Sequence, residues 1–81
     1  MDPYVELARL TIAHFTRHRK PPTEIPETLR RPLSGHRAAT FVSIHTLEGE
    51  LRGCKGTLEP FHDSVTDELI SNAISACSRD S

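Results

Sequence analysis

Apolar and polar residues alternate at helical spacing over the first part of the chain, from Asp2 to His18. Asp2 is a favourable N-cap residue and Pro3 fits the first helical position, so a helix is predicted to begin here. Residues three and four apart share one face of a helix. The predicted apolar face carries Tyr4, Ala8, Thr11, Ile12 and Phe15.

Four prolines interrupt the next segment, from Arg19 to Arg37. Each proline removes a backbone hydrogen-bond donor and restricts the residue before it. The segment contains Pro21, Pro22, Pro26 and Pro32. It is therefore predicted to be a loop throughout, and a loop of this length in a small chain is typical of a functional or packed segment.

Two strands are predicted after this loop. Residues 39–45 are rich in β-branched and aromatic types, with even-numbered side chains on one side and odd-numbered side chains on the other. Residues 47–49 form a predicted turn, in which Gly49 has positive φ. Residues 50–58 then return as the second strand, so the two strands are predicted to pair as an antiparallel hairpin.

A second helix is predicted after the hairpin, with Asp63 or Ser64 as its N-cap. Its core stripe consists of Val65, Leu69, Ala73 and Ala76, and a wider apolar arc adds Ile70, Ile74 and Cys77. A helix with so broad an apolar arc is usually deeply buried. The predicted fold class is α+β, with an antiparallel hairpin or small sheet packed against two helices.

Composition narrows the class of protein. The chain has 81 residues, with 10 basic and 11 acidic side chains, which suits one small domain without long-range attraction for a phosphate backbone. Three Phe, one Tyr and no Trp make a base-stacking surface improbable, so no nucleic-acid partner is predicted. Two cysteines without a CxxC pair, no signal peptide and no long apolar run favour a cytoplasmic protein without membrane insertion, or a nuclear one in a eukaryote.

The sequence from Leu51 to Pro60, Leu-Arg-Gly-Cys-Lys-Gly-Thr-Leu-Glu-Pro, resembles the Leu-Arg-Gly-Cys-Ile-Gly signature of the AMMECR-type domain family. The preceding Phe41-Val42 strand and the following helix from Val65 to Ala73 also resemble that family. Lys55 departs from the pattern, since the family usually has an apolar residue there. The family's domain continues beyond Ser81, so residues 1–81 are expected to be the N-terminal part of a larger α/β domain that is incomplete at its C-terminus.

The signature contains the candidate catalytic residues, Cys54 and Arg52. On a regular strand Glu50, Arg52 and Cys54 lie on one face and Leu51 lies on the other. A cation near the sulfur favours the thiolate, which is the nucleophilic form of cysteine. The structural alternative is that Cys54 is a small buried hydrophobe in a tight crossing.

The candidate ligand-binding residues are Gly53, Lys55, Gly56, His45 and His62. The two glycines are expected to turn backbone N–H groups toward an anion, one of them with positive φ, or else to mark a bulge or a close backbone approach. The two histidines end the partner strand and follow the signature, so either is a possible base for Cys54.

No metal site or cofactor is predicted. His14 and His18 share a helical face, but no third ligand is evident and the intervening residues lack the glutamate of the HExxH arrangement. His36 is a further histidine without an assigned role.

The resemblance implies an AMMECR domain-containing protein of undefined activity. Its signature is interpreted as a site of ligand binding or of a cysteine-dependent enzyme component. The alternative is a non-catalytic protein-interaction module in which the signature is structural. The resemblance also implies Memo-like and radical-SAM proteins as partners, and the open edges of an isolated hairpin predict a homodimer.

Overall fold

The described residues of the computed structural model form three helices and one two-stranded antiparallel sheet, so the predicted α+β class is confirmed. The structure describes residues 2–33, 35, 37–60 and 62–78. In chain order the elements are α1 (Pro3–His18), α2 (Glu27–Leu33), β1 (Phe41–His45), β2 (Leu51–Gly56) and α3 (Val65–Ser78). None of the described helices combines the length and the apolar character that crossing a membrane requires.

Helix α1 begins where the sequence predicts. The Asp2 carboxylate accepts the backbone N–H of Tyr4 at 2.9 Å, and the helix ends at Arg19, which has a φ of 60°. The predicted apolar face is partly wrong, because the fully buried residues are Leu7 and Thr11 while Tyr4 is 45% exposed. The cause is that α1 packs against α3, which covers a narrow stripe rather than a broad face.

Helix α2 lies inside the segment from Arg19 to Arg37, so the prediction of a continuous loop is wrong. The carbonyl of Pro26 accepts the N–H of Leu29 at 2.9 Å and starts the helix. Pro32 lies in the last turn, where its ring removes only one helical hydrogen bond. Leu33 is fully buried and Leu29 packs against the same core, so burial of an i, i+4 pair outweighs the helix-breaking effect of the prolines.

The hairpin is antiparallel as predicted, and Gly49 in its turn has a φ of 94°. Its outer face carries three cross-strand pairs: Phe41 with Gly56, Ser43 with Cys54, and His45 with Leu51. The register slips by one residue beside His45, which leaves Arg52 as the extra residue of a β-bulge. The bulge places Leu51 on the exposed outer face. The prediction that Leu51 and Arg52 lie on opposite faces of the strand is therefore wrong.

Helix α3 covers the inner face of the hairpin. Ser64 is its N-cap, because the Ser64 hydroxyl accepts the N–H of Asp67 at 3.1 Å. The predicted core stripe is confirmed, since all four of its residues are buried. The buried core comprises Leu7, Leu33, Val42, Val65, Leu69, Ala73 and Ala76. The core thus lies between the hairpin and the three helices, with α3 at the centre.

Gly53 is the point where β2 approaches α3 most closely. A Cβ atom at this position would collide with the backbone carbonyl oxygen of Ala76. The close backbone approach predicted from the strand glycines is therefore confirmed. The predicted positive φ at Gly53 or Gly56 is wrong, since the described glycines with positive φ are Gly35 and Gly49.

Alanine substitution separates the two strand glycines. Gly53→Ala is expected to lower the free energy of unfolding by about 1–3 kcal/mol, because the new methyl group meets a fixed backbone carbonyl. Gly56→Ala is the matched control. Its methyl group would meet the ring of Phe41, which is 71% exposed and free to move. Urea denaturation measures both effects, and equal losses in the two variants would contradict this explanation.

Candidate functional site

A cleft of about 510 Å³ lies between the C-terminal end of β2 and helix α3. We refer to it as the β2–α3 cleft. Its polar lining consists of Lys55, Thr57, Glu59, His62, Glu68, Ser71, Asn72 and Ser75. Three of the candidate ligand-binding residues, Lys55, Gly56 and His62, therefore lie in one cavity, together with polar residues of α3.

Glu68 is the best-buried ionisable group at this cleft, with its side chain 1% exposed. Its Oε2 atom accepts the hydroxyl of Thr57 at 2.9 Å. Its Oε1 atom accepts the backbone N–H of His62 at 2.8 Å and lies 3.1 Å from Nδ1 of the same histidine. A buried carboxylate must be compensated by donors, and these contacts provide that compensation.

Asn72, one helical turn after Glu68, makes a second polar contact with the hairpin. Its side-chain N–H group donates to the Thr40 hydroxyl at 2.6 Å and to the Thr40 carbonyl at 3.2 Å. The same carbonyl accepts the N–H of Thr57 at 3.0 Å. Glu68 and Asn72 thus fix the start of β1 and the end of β2 on α3, and we call these two residues the polar clamp.

Arg37 also holds the segment that follows β2. Its Nε atom donates to the carbonyl of His62 and its Nη2 atom donates to the carbonyl of Pro60, each at 3.1 Å. His62 is therefore fixed through its backbone N–H, its backbone carbonyl and its ring. Its side chain is still 41% exposed, so the ring borders the cleft rather than the core.

Three donors in the cleft have no internal partner. Lys55 pairs in register with Val42 on the inner side of β2, and Ser71 and Ser75 lie one turn apart on α3. Over the described ranges, none of these three side chains takes part in a hydrogen bond or an ion pair within the protein. They are available to a bound molecule.

The structure separates the signature residues into two groups. Cys54 is half-buried on the outer face of the hairpin, where Arg52 and His45 are exposed. Within the described part of the chain, Cys54 forms no hydrogen bond with either residue. His62 instead lies on the inner side, held by Glu68. His36 lies outside the described residues.

The sequence pattern did not predict the polar clamp, and neither Glu68 nor Asn72 was assigned a role from it. Their positions in the sequence could have indicated this role. Glu68 and Asn72 interrupt the apolar stripe that contains Leu69 and Ala73, and they are buried with it. A polar residue inside a core stripe needs a buried partner, which makes it a candidate for a network.

Comparison with known proteins decides the family. The AMMECR1 family model matches residues 5–81. The chain belongs to the AMMECR1 family. This confirms the predicted family, although it neither identifies the segment from Leu51 to Pro60 as a signature nor assigns that segment a role.

Two bacterial proteins have similar sequences. A protein of Clostridium acetobutylicum is 37% identical over 75 residues, which cover 93% of this chain and 16% of that protein. A protein of Thermotoga maritima is 37% identical over 81 residues, which cover 96% of this chain and 44% of that protein. The chain therefore spans less than half the length of either relative. No solved structure matches it.

The two cysteines of this AMMECR1 chain are expected to differ in reactivity. Burial raises the pKa of the Cys77 thiol above its ordinary value, despite opposing contributions from a backbone hydrogen bond and from Arg19. At neutral pH Cys77 therefore has less thiolate than an unfolded cysteine, and its alkylation by iodoacetamide should reach its plateau at a higher pH than that of the unfolded cysteine.

Mass spectrometry of the labelled peptides measures both thiols in one sample. The urea-denatured chain is the control, because its two cysteines should react alike. Cys54 is predicted to react faster than Cys77 in the folded chain. Equal folded-state rates at neutral pH would contradict the difference in environment.

Proposed function

We propose that this AMMECR1-family chain is a ligand-binding component, and that its ligand is a small molecule bearing a carboxylate or a phosphate. The proposed site is the β2–α3 cleft. The observation that carries the proposal is the convergence in one cavity of a cation, Lys55, with two serine hydroxyl groups, none of which has a partner among the described residues. A ligand that satisfies all three must offer anionic or strongly accepting oxygen atoms.

The size of the cleft supports this class of ligand. Small-molecule sites usually measure roughly 300–1,000 Å³, and this cleft measures about 510 Å³. Ser71 and Ser75 present their hydroxyl groups from adjacent turns of α3, which is fixed to the hairpin by the polar clamp. The donors are therefore held on regular elements, which favours binding without a large cost in ordering.

The acidic residues of the cleft do not oppose an anion strongly. Glu68 already accepts hydrogen bonds on both carboxylate oxygens, from Thr57 and from His62. Glu59 and Lys55 are both exposed, so water and salt screen their two charges to a similar degree. Lys55 is the cation that a ligand meets on the β2 side of the cavity.

The cysteine-dependent enzyme has less support than ligand binding. Cys54 lies on the outer face of the hairpin, across the sheet from the donors of the cleft. A nucleophilic cysteine needs a base within hydrogen-bond reach, and among the described residues Cys54 has none.

The second candidate is an interaction module whose partner is another copy of this chain. It is favoured by the packing role of Gly53 and by the outer face, where Phe41 is 71% exposed and Leu51 is 58% exposed. The exposed edge of β2 also carries both an acid, Glu50, and a base, Arg52, which suits antiparallel pairing of two identical edges. This candidate predicts that anions have no effect through Lys55.

A thermal-shift experiment with inorganic phosphate tests the proposed function. A ligand that binds only the folded state stabilises it by about 1.4 kcal/mol when its concentration is about ten times Kd. Phosphate is therefore expected to raise the Tm of the wild-type chain, with sodium chloride at equal ionic strength as the reference. Lys55→Met should abolish the increase because it removes the cation of the cleft.

Lys20→Met is the matched control, since Lys20 is the other lysine of the chain and is exposed outside the cleft. It should preserve the increase in Tm. An equal phosphate effect in the wild type and in Lys55→Met would reject the cleft as the site. No phosphate effect in any of the three proteins would favour the interaction module.

A further inference from the structure

We propose that His62 is a general base of the β2–α3 cleft, positioned by Glu68, and that it removes a proton from a water molecule or hydroxyl group beside the bound ligand. This inference rests on the proposed function, because it uses the same cleft. It adds a reaction class, proton abstraction coupled to attack on an acyl carbon, to what is otherwise a binding site. His62 would be a catalytic residue and Glu68 a positioning residue.

The contact between Glu68 and the ring defines which nitrogen is available. A carboxylate only accepts hydrogen bonds, so the Nδ1 atom at 3.1 Å from Oε1 must carry the hydrogen. In neutral imidazole the other nitrogen, Nε2, then has the free lone pair. Over the described residues Nε2 has no hydrogen-bond partner. The proton acceptor is thus the nitrogen on the side of the ring away from buried Glu68.

The position of the ring is determined independently of any ligand. The same Oε1 atom of Glu68 accepts the backbone N–H of His62 at 2.8 Å. Arg37 holds the carbonyl of His62 from the opposite side. A base fixed in this way loses little conformational freedom when substrate binds, which is what an effective general base requires.

A purely structural histidine would not need this arrangement. The backbone N–H of His62 alone anchors the segment to Glu68. The ring adds little to the core, since the side chain is 41% exposed. Its exposed part borders a cavity that also contains Lys55 and the two serine hydroxyl groups. The pairing of an oriented base with anion-binding donors matches the combination of proton acceptor and charge stabiliser used in acyl-group hydrolysis.

The proposed step is hydrolysis of an ester. Water gives a proton to Nε2, and its oxygen forms a bond to the carbonyl carbon as the bond to the leaving oxygen breaks. The imidazolium, stabilised by the Glu68 carboxylate, then gives the proton to the leaving oxygen, which departs as the alcohol. Other charged groups at this cleft are Lys55 on β2 and Glu59 after it. Lys55 is positioned to stabilise negative charge that develops on the substrate.

Steady-state hydrolysis of 4-nitrophenyl acetate by the full chain tests the proposal. This neutral ester reports a water-activating base, and the steady state excludes single acylation of the two thiols. His62→Gln should reduce the protein-dependent rate by roughly tenfold or more, within the ~10²–10⁴-fold that a well-matched general base contributes. His18→Gln, which changes an exposed histidine of α1 outside the cleft, should retain the rate. An unchanged rate in folded His62→Gln would overturn the proposal.

A second measurement uses the wild-type chain. Long-range proton–nitrogen NMR correlations distinguish the two neutral forms of an imidazole ring. His62 should carry its hydrogen on Nδ1, and a hydrogen on Nε2 would overturn the proposal whatever the esterase rate.

Phosphate binding separates this inference from the proposed function. His62→Gln should keep the increase in Tm with inorganic phosphate, because Lys55 and the serines remain. If phosphate binds through Lys55 but hydrolysis does not depend on His62, the role of His62 as a base is rejected and the proposed binding site is retained. If hydrolysis depends on His62 but phosphate has no effect, the anion site is wrong and the base stands.

Discussion

The fold depends on two buried polar side chains of α3, Glu68 and Asn72. A carboxylate and an amide are costly to bury, so they persist in a core stripe only when their hydrogen bonds are satisfied. Glu68 meets Thr57 and His62, and Asn72 meets Thr40. Thr40 precedes β1, and Thr57 and His62 follow β2, so the clamp fixes the open end of the hairpin on α3. Removing either side chain would leave buried donors or acceptors without partners.

The polar clamp also determines the position of the proposed ligand site. It fixes His62 and the end of β2 at one side of a cavity, while α3 contributes Ser71 and Ser75 from the other. Gly53 allows the helix and strand backbones to approach closely enough for this geometry. Gly53 therefore serves packing, while Lys55 faces the cleft side and Cys54 faces the outer side. Neighbouring residues of β2 thus face different surroundings.

Local features of this structure were predictable from the sequence, and long-range features were not. The caps at Asp2 and Ser64 and the turn at Gly49 depend on residues close in sequence, and each formed as predicted. Helix α2 was missed because proline content indicates a loop, whereas burial of Leu33 depends on tertiary packing. The strand glycines predicted a bulge or a close backbone approach, but the position of the bulge at Arg52 was not predictable, since register is a property of two strands together. The contact between His62 and Glu68 joins a loop to a helix, so neither residue signals it alone.

The polar clamp positions the proposed ligand site in the β2–α3 cleft and not on the outer face beside Cys54. A titration with inorganic phosphate, followed by proton–nitrogen NMR of the backbone amides, tests it most directly. The largest changes in amide chemical shift are expected at Lys55, Thr57 and His62 and along α3 from Ser71 to Ser75, with little change at Ser43 or Cys54. Shifts centred on Ser43, Cys54 and Arg52 would contradict it.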